Sequence, residues 1–132
     1  MIYTFCEAIA RMEGWLVTTS RCRRNHNPGN IRYGSFARRN GAIATDGSFA
    51  IFKSDQDGFN AMSELLEAYY AGETVEQAIM KYAPPSENNT GNYINNICEW
   101  TGLTPQTVLT KTILNPPKLK PLGGINGSPS IA

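Results

Sequence analysis

The run YTFCEAIARMEG, from Tyr3 to Gly14, is where the reading of this chain begins. Ile2, Phe5, Cys6, Ile9 and Met12 recur at three- and four-residue intervals, the spacing of one helix face, and Gly14 supplies a C-terminal stop. The pattern predicts an amphipathic helix from Tyr3 to Glu13. Glu13 lies on its apolar face at the last turn, because it follows Ile9 and Cys6 at helical spacing. Burial disfavours a charged carboxylate there, and the negative end of the helix dipole repels it further, so both influences favour a protonated acid near neutral pH. Such an acid can donate a proton to a leaving glycosidic oxygen. The structural alternative is a carboxylate that points into solvent or pairs with an arginine of the next loop.

From Thr18 to Gly41 the period disappears, and Asn, Pro, Gly and Arg dominate. This predicts irregular chain with one helical turn around Pro28-Gly29-Asn30. Asp46-Gly47 between two β-prone runs predicts a hairpin within residues 43–52. Ser54 with Asp57 resembles a helix start, and Phe59, Met62, Leu65, Leu66 and Tyr69 continue a core helix to Gly72. Thr74 with Gln77 starts a shorter helix bearing Val75, Ala78, Ile79 and Tyr82, which Pro84-Pro85 ends. Another begins near Thr90, buries Tyr93, Ile94, Ile97 and Cys98, and closes at Gly102; Thr104-Pro105 opens a last short one. After Asn115 the chain is rich in Pro and Gly without periodicity. The expected fold class is α+β, mostly α-helical, with a small β-hairpin and an irregular basic loop, in one domain over residues 1–114 and a tail or linker over 115–132.

Composition narrows the function classes. The 132 residues are 41% hydrophobic and 17% charged, as in an ordinary globular domain with one core. No apolar run approaches the ~20 residues that span a bilayer, and the N-terminal stretch lacks a basic leader, so neither a membrane span nor a signal peptide is expected. Cys6, Cys22 and Cys98 cannot all pair and lack metal-ligand spacing; Cys6 and Cys98 read as buried hydrophobes, with a disulfide between them as the alternative. The single histidine, His26, leaves neither a ligand cluster nor a Ser-His-Asp triad, so no metal or other cofactor is expected. Residues 1–54 hold eight Lys/Arg against three acids, and residues 55–132 four against eight. Arg21, Arg23, Arg24, Arg38 and Arg39 concentrate the positive charge, which suits an anionic wall polymer or a partner's acidic face, or is a solvated loop. Aromatic residues are not interleaved with these arginines, so nucleic acid is not an expected partner.

The segments AIARMEGW (8–15), RNHNPGNIRYG (24–34), GSFAIF (47–52), KYAPPSENNT (81–90), NYINNIC (92–98) and TGL (101–103) resemble, in order and approximate spacing, the small phage-type lytic transglycosylases and muramidases of the lysozyme-like superfamily. The resemblance covers about Ala8 to Leu109 and implies a lysozyme-like helical domain whose glutamate at the end of the first long helix, here Glu13, is general acid and base. Asn27, Asn30, Arg32 and Tyr33 offer amide, guanidinium and aromatic groups suited to N-acetyl sugars. Turn or cap roles remain open for the two asparagines, and wall or core for Tyr33. Tyr93 is either core or, as the resemblance implies, a residue near the site. Phe49 and Phe52 lie on opposite faces of one strand, so one packs inward and the other can face a cleft.

No second carboxylate stands out, since Asp46, Asp55, Asp57 and Glu87 each have a structural reason to be acidic. A lone glutamate suits an enzyme that uses the substrate's own acetamido oxygen. The resemblance therefore implies a lytic transglycosylase acting on peptidoglycan glycan strands between MurNAc and GlcNAc. The alternatives are a hydrolytic muramidase using Asp46 and a non-catalytic lysozyme-like virion or wall-binding protein. The implied setting is a monomer in a phage virion, or one delivered to the bacterial cell wall or periplasm, with other virion proteins as further partners.

Overall fold

The computed structural model describes residues 2–120. The order of elements is α1 (Phe5–Met12), α2 (Arg21–Arg24), α3 (Ser35–Arg39), β1 (Ala42–Thr45), β2 (Ala50–Phe52), α4 (Asp55–Tyr70), α5 (Val75–Tyr82), α6 (Thr90–Thr101) and α7 (Lys111–Leu114). The fold is α+β and mostly helical, with one antiparallel two-stranded sheet among the described residues. No helix among the described residues is long and apolar enough to cross a membrane.

α1 starts at a capping box that the apolar period did not show. Thr4 Oγ1 accepts from the Glu7 N–H, and Glu7 Oε1 accepts from the Thr4 N–H at 2.9 Å. Every residue from Phe5 to Ala10 is buried, Glu7 included at 2% exposure. α1 packs against α4, α6 and α7, and its span, Phe5–Met12, falls inside the expected Tyr3–Glu13. Around it lie the largest core side chains, among them Trp15, Phe52, Phe59, Met62, Leu66, Ile79 and Ile97.

The stretch expected to be irregular contains two short helices, α2 and α3, while Pro28-Gly29-Asn30 forms a turn and not a helix. One or two turns of helix are too short to display a period; Ser20 caps α2 by accepting from the Arg23 N–H. The hairpin forms as expected, pairing Ala44 with Ile51 and Thr45 with Ala50, with a bulge between Ala42 and Ala44. Along α4 the buried face runs through Phe59, Met62 and Leu66 to half-buried Tyr70, which leaves Tyr69 58% exposed and corrects its placement in the core. Thr104-Pro105 opens no helix: Thr104 and Thr107 close a turn on each other, and the last helix among the described residues is α7, capped by Thr110. All three cysteines are free. Cys6 donates to the Leu114 carbonyl, with burial pushing its thiol up to about 12, and Cys98 is only half-buried.

Packed structure extends beyond Asn115. Gln56 on α4 donates to the Pro117 carbonyl at 3.0 Å and accepts from the Leu119 N–H at 2.9 Å, and Pro117 is buried. The remainder of the expected tail, residues 121–132, lies outside the described residues.

Candidate active site

The end of α1 fixes Glu13 through its main chain. The Gly14 N–H donates to the Arg11 carbonyl at 3.1 Å and the Trp15 N–H to the Ala10 carbonyl at 2.9 Å, the paired bonds of a Schellman closure. Gly14 adopts φ +103°, where a side chain would be strained. Trp15 is fully buried and packs edge-on against Phe59, with centroids 5.3 Å apart. A helix end locked on both sides holds the Glu13 Cα in one place.

The loop after α2 is held as firmly. Asn27 is fully buried: its Nδ2 donates to the Ile31 and Ala50 carbonyls, both at 2.9 Å, and its Oδ1 accepts from the Ile31 N–H at 3.0 Å. The expectation that Asn27 meets a sugar is thereby corrected, since three of its four hydrogen-bonding positions serve the main chain. His26 Nδ1 lies 2.7 Å from Asp55 Oδ1 at the start of α4. The loop approaches α4 closely enough that a Cβ on Gly58 would come within 2.0 Å of the His26 carbonyl oxygen.

These supports bring two donors onto the half-buried Glu13 carboxylate. Asn30 Nδ2 donates to Oε1 at 3.1 Å, and the Tyr93 hydroxyl, from the buried face of α6, donates to Oε2 at 2.9 Å. Removal of the carboxylate from water is therefore offset by hydrogen bonds and not left uncompensated, a feature that the apolar periodicity of α1 did not suggest. Burial, reinforced by the charge of Glu13, pushes the Tyr93 hydroxyl above the usual tyrosine range, so it stays a donor. Tyr82, at the end of α5, donates its hydroxyl to the Gly29 carbonyl. Burial raises Tyr82 as well.

Glu13 lines a cleft of about 510 Å³. Asn30, Arg32 and Phe49 share its lining, and Phe52 faces the core, so the two strand phenylalanines separate as their alternation predicts. The Arg32 guanidinium lies 5.0 Å from the centre of the Phe49 ring, braced by a cation–π contact. Tyr33 is on the surface under Arg38 and does not line the cleft, which corrects its placement at the site. Tyr70, Lys81, Tyr82 and Asn88 also line the cleft, although nothing in the sequence marks them as site residues. Glu87 lines it too. Tyr82 and Tyr70 were hidden because their positions on helix faces are explained by packing alone. Among the described residues no three His, Cys, Asp or Glu side chains gather as a metal set.

Asp46 is outside the cleft lining and fully committed to the hairpin turn. Its Oδ2 accepts from Arg21 Nε at 2.6 Å and Asn25 Nδ2 at 2.9 Å, and its Oδ1 from the Ser48 and Phe49 N–H groups. The Arg21 guanidinium, then the Phe49 amide, Asn25 and the Ser48 amide, hold this carboxyl well below the usual carboxylate range. A group whose acidity is increased by folding stabilises the fold above its unfolded value, ~4, and loses that contribution as pH falls. Asp46→Asn is therefore expected to lower the melting temperature at pH 7 and to lower it progressively less towards pH 2; an equal deficit at both ends of thermal melts would count against this.

Of the five loop arginines, only Arg21 has a carboxylate partner among the described residues. Arg23 covers the Trp15 ring at 4.5 Å and Arg24 donates to the Thr19 carbonyl, while Arg38 and Arg39 are exposed on α3.

No family model matches the chain. It is 37% identical over 91 residues to Protein P5 of Pseudoalteromonas phage PM2, an alignment covering 64% of this chain. The chain spans 57% of that protein's length, and the relative's name states no activity.

Proposed function

We propose that this chain cleaves peptidoglycan glycan strands as a lytic transglycosylase, with Glu13 as the general acid and base. The observation that supports this most is a glutamate at a rigid helix end, opening on a cleft large enough for sugar rings, with a separate donor on each carboxylate oxygen. A relative from a bacteriophage fits the reading, since a phage must pass its host's wall.

In the proposed reaction Glu13 gives its proton to the β-1,4 oxygen between MurNAc and GlcNAc as the C1–O bond breaks. The acetamido oxygen of MurNAc attacks C1 and forms a cyclic oxazolinium. The Glu13 carboxylate then takes the proton of the C6 hydroxyl, O6 attacks C1, and the oxazolinium opens to leave a 1,6-anhydro ring. Arg32, Phe49 and Asn88 present groups that suit the acetamido functions and sugar faces along the cleft. Digestion of purified peptidoglycan, with mass spectrometry of the released fragments, tests the proposal; 1,6-anhydro ends are expected.

The competing hydrolytic reading needs a second carboxylate, and the structure directs that search to Glu87 and away from Asp46. Asp46→Asn is expected to keep at least a tenth of the activity, whereas loss of a required second carboxylate would cost on the order of 10³-fold. Reducing MurNAc ends from the parent enzyme, together with an inactive Glu87→Gln variant, would establish hydrolysis instead.

The arginines of α2 and α3 suit an anionic polymer. Replacing Arg24, Arg38 and Arg39 together with Gln, and sparing Arg23 for its cover of Trp15, is expected to weaken sedimentation with wall sacculi at low salt. At ~1 M salt, where screening acts over about 3 Å, the difference is expected to vanish. Parent binding that ignores salt would assign the patch another role.

A further inference from the structure

Asn30 meets Glu13 from a main chain with no room to adjust. Its φ of 48° lies in the left-handed region that asparagine tolerates better than most residues. The preceding Gly29 carbonyl accepts from Tyr82, and the following Ile31 is bonded through both its N–H and its carbonyl to Asn27. Only the side-chain torsions remain free. Nδ2 donates to Glu13 Oε1, yet Oδ1 of the same amide is buried without a hydrogen-bond partner among the described residues. An orphaned buried acceptor is unfavourable and calls for an explanation.

The explanation lies in the second state of its neighbour. A protonated Glu13 presents an O–H that needs an acceptor where the charged form needed a donor. Tyr93 already donates to the other oxygen. A half-turn of the Asn30 amide exchanges Nδ2 for Oδ1 without moving any other atom of the residue. We infer that Asn30 positions the Glu13 carboxyl in both of its protonation states, donating through Nδ2 when Glu13 is charged and accepting through Oδ1 when Glu13 carries a proton. Its importance rests on the proposed proton exchange by Glu13, but the reversal itself is a property of the protein without substrate.

The other ionisable groups around Glu13 differ in kind. Tyr93 on α6 and Tyr82 on α5 are pushed towards the neutral form by burial, as is Cys22 on α2, whose thiol donates to the Glu13 carbonyl. Arg32 and Lys81 are cations that line the cleft, and Glu87 is the other acid there. His26, in the same loop, pairs with Asp55 at the start of α4, so a signal that follows pH at Asn30 reports Glu13, Glu87 or that pair, and loss of the response in Glu13→Gln with its retention in Glu87→Gln assigns it to Glu13.

The test is an NMR titration of the whole chain between pH 3 and 8, following the Asn30 side-chain ¹⁵N and ¹H signals together with Glu13 ¹³Cδ. The expected result is a common midpoint, with the hydrogen-bonded amide proton of the alkaline form lost in the acid form. Glu13→Gln is expected to abolish the response, and Glu87→Gln to keep it. Amide signals that stay flat through the Glu13 transition, or that still titrate in Glu13→Gln, overturn the inference. In turnover, Asn30→Ala is expected to lower kcat by about tenfold, the factor for one lost hydrogen bond, with little change in KM. A raised KM with kcat intact would make Asn30 a ligand contact instead. Absence of glycan cleavage would refute the proposed activity without altering the amide titration, so the two readings fail separately.

Discussion

Glu13→Gln is expected to lower peptidoglycan cleavage by at least ~100-fold, the usual scale for removing a general acid and base. Gln keeps the size of the side chain and still offers an oxygen to the Tyr93 hydroxyl. It cannot give up a proton to a leaving oxygen. The α1 closure uses the main chain of residues 10–15 and the Trp15 ring, neither of which the substitution touches, so the melting temperature is expected to stay within about 3 °C of the parent. Matched assays of turnover and thermal melts separate the two effects. Undiminished turnover in the variant would remove Glu13 from the chemistry, and a large loss of stability would mean that the carboxylate is part of the scaffold.

The second large effect is expected far from any reacting group. Gly58 lies in the first turn of α4, where a Cβ would sit 2.0 Å from the His26 carbonyl oxygen and 2.8 Å from Pro28 Cδ. Neither atom belongs to a side chain that can swing away, because one is main chain and the other part of a proline ring. Gly58→Ala must therefore push the loop off the helix, at a cost of roughly 3 kcal/mol or more, which for a domain of this size lowers the melting temperature by roughly 10 °C. Asn30 travels with that loop, so the Glu13 carboxylate loses one donor and turnover falls as well. Gly91 in the first turn of α6 is the natural control, since a Cβ there would meet only an Asn89 side-chain oxygen at 3.8 Å. Gly91→Ala is expected to leave stability unchanged or to raise it by up to about 1 kcal/mol. Equal behaviour of the two variants in thermal melts would show that the contact at Gly58 is soft.

The contrast between these glycines shows what a sequence can and cannot carry. Periodicity spoke clearly for α4, α5 and α6, whose caps at Ser54 and Thr74 and stop at Gly102 are local features that one chain segment can display. It was silent on α2 and α3, which are shorter than the period needs. Within the site, Glu13 was legible because a carboxylate on an apolar stripe breaks a pattern. That break alone is not diagnostic. Glu7 is more deeply buried than Glu13, yet it belongs to the capping box at the other end of the same helix. Asn27 and Asn30 are alike in sequence, three residues apart around one turn, and only the third dimension gives one to the scaffold and the other to the carboxylate. Gly58, read along the chain, is merely a weak helix former; its purpose belongs to a loop thirty residues earlier.

The closure at Gly14 and Trp15 has a consequence for redesign. The bonds that set the Glu13 backbone come from neighbouring peptide groups and the Cys22 thiol, with the buried Trp15 ring anchoring the next turn, so residue 13 contributes a side chain to the cleft without that side chain contributing to its own mounting. The position behaves as an interchangeable fitting. A shorter acid, a thiol or an imidazole installed there would be held at the same angle, facing the same two donors, and differences between such variants would measure the reach and acidity of the inserted group itself.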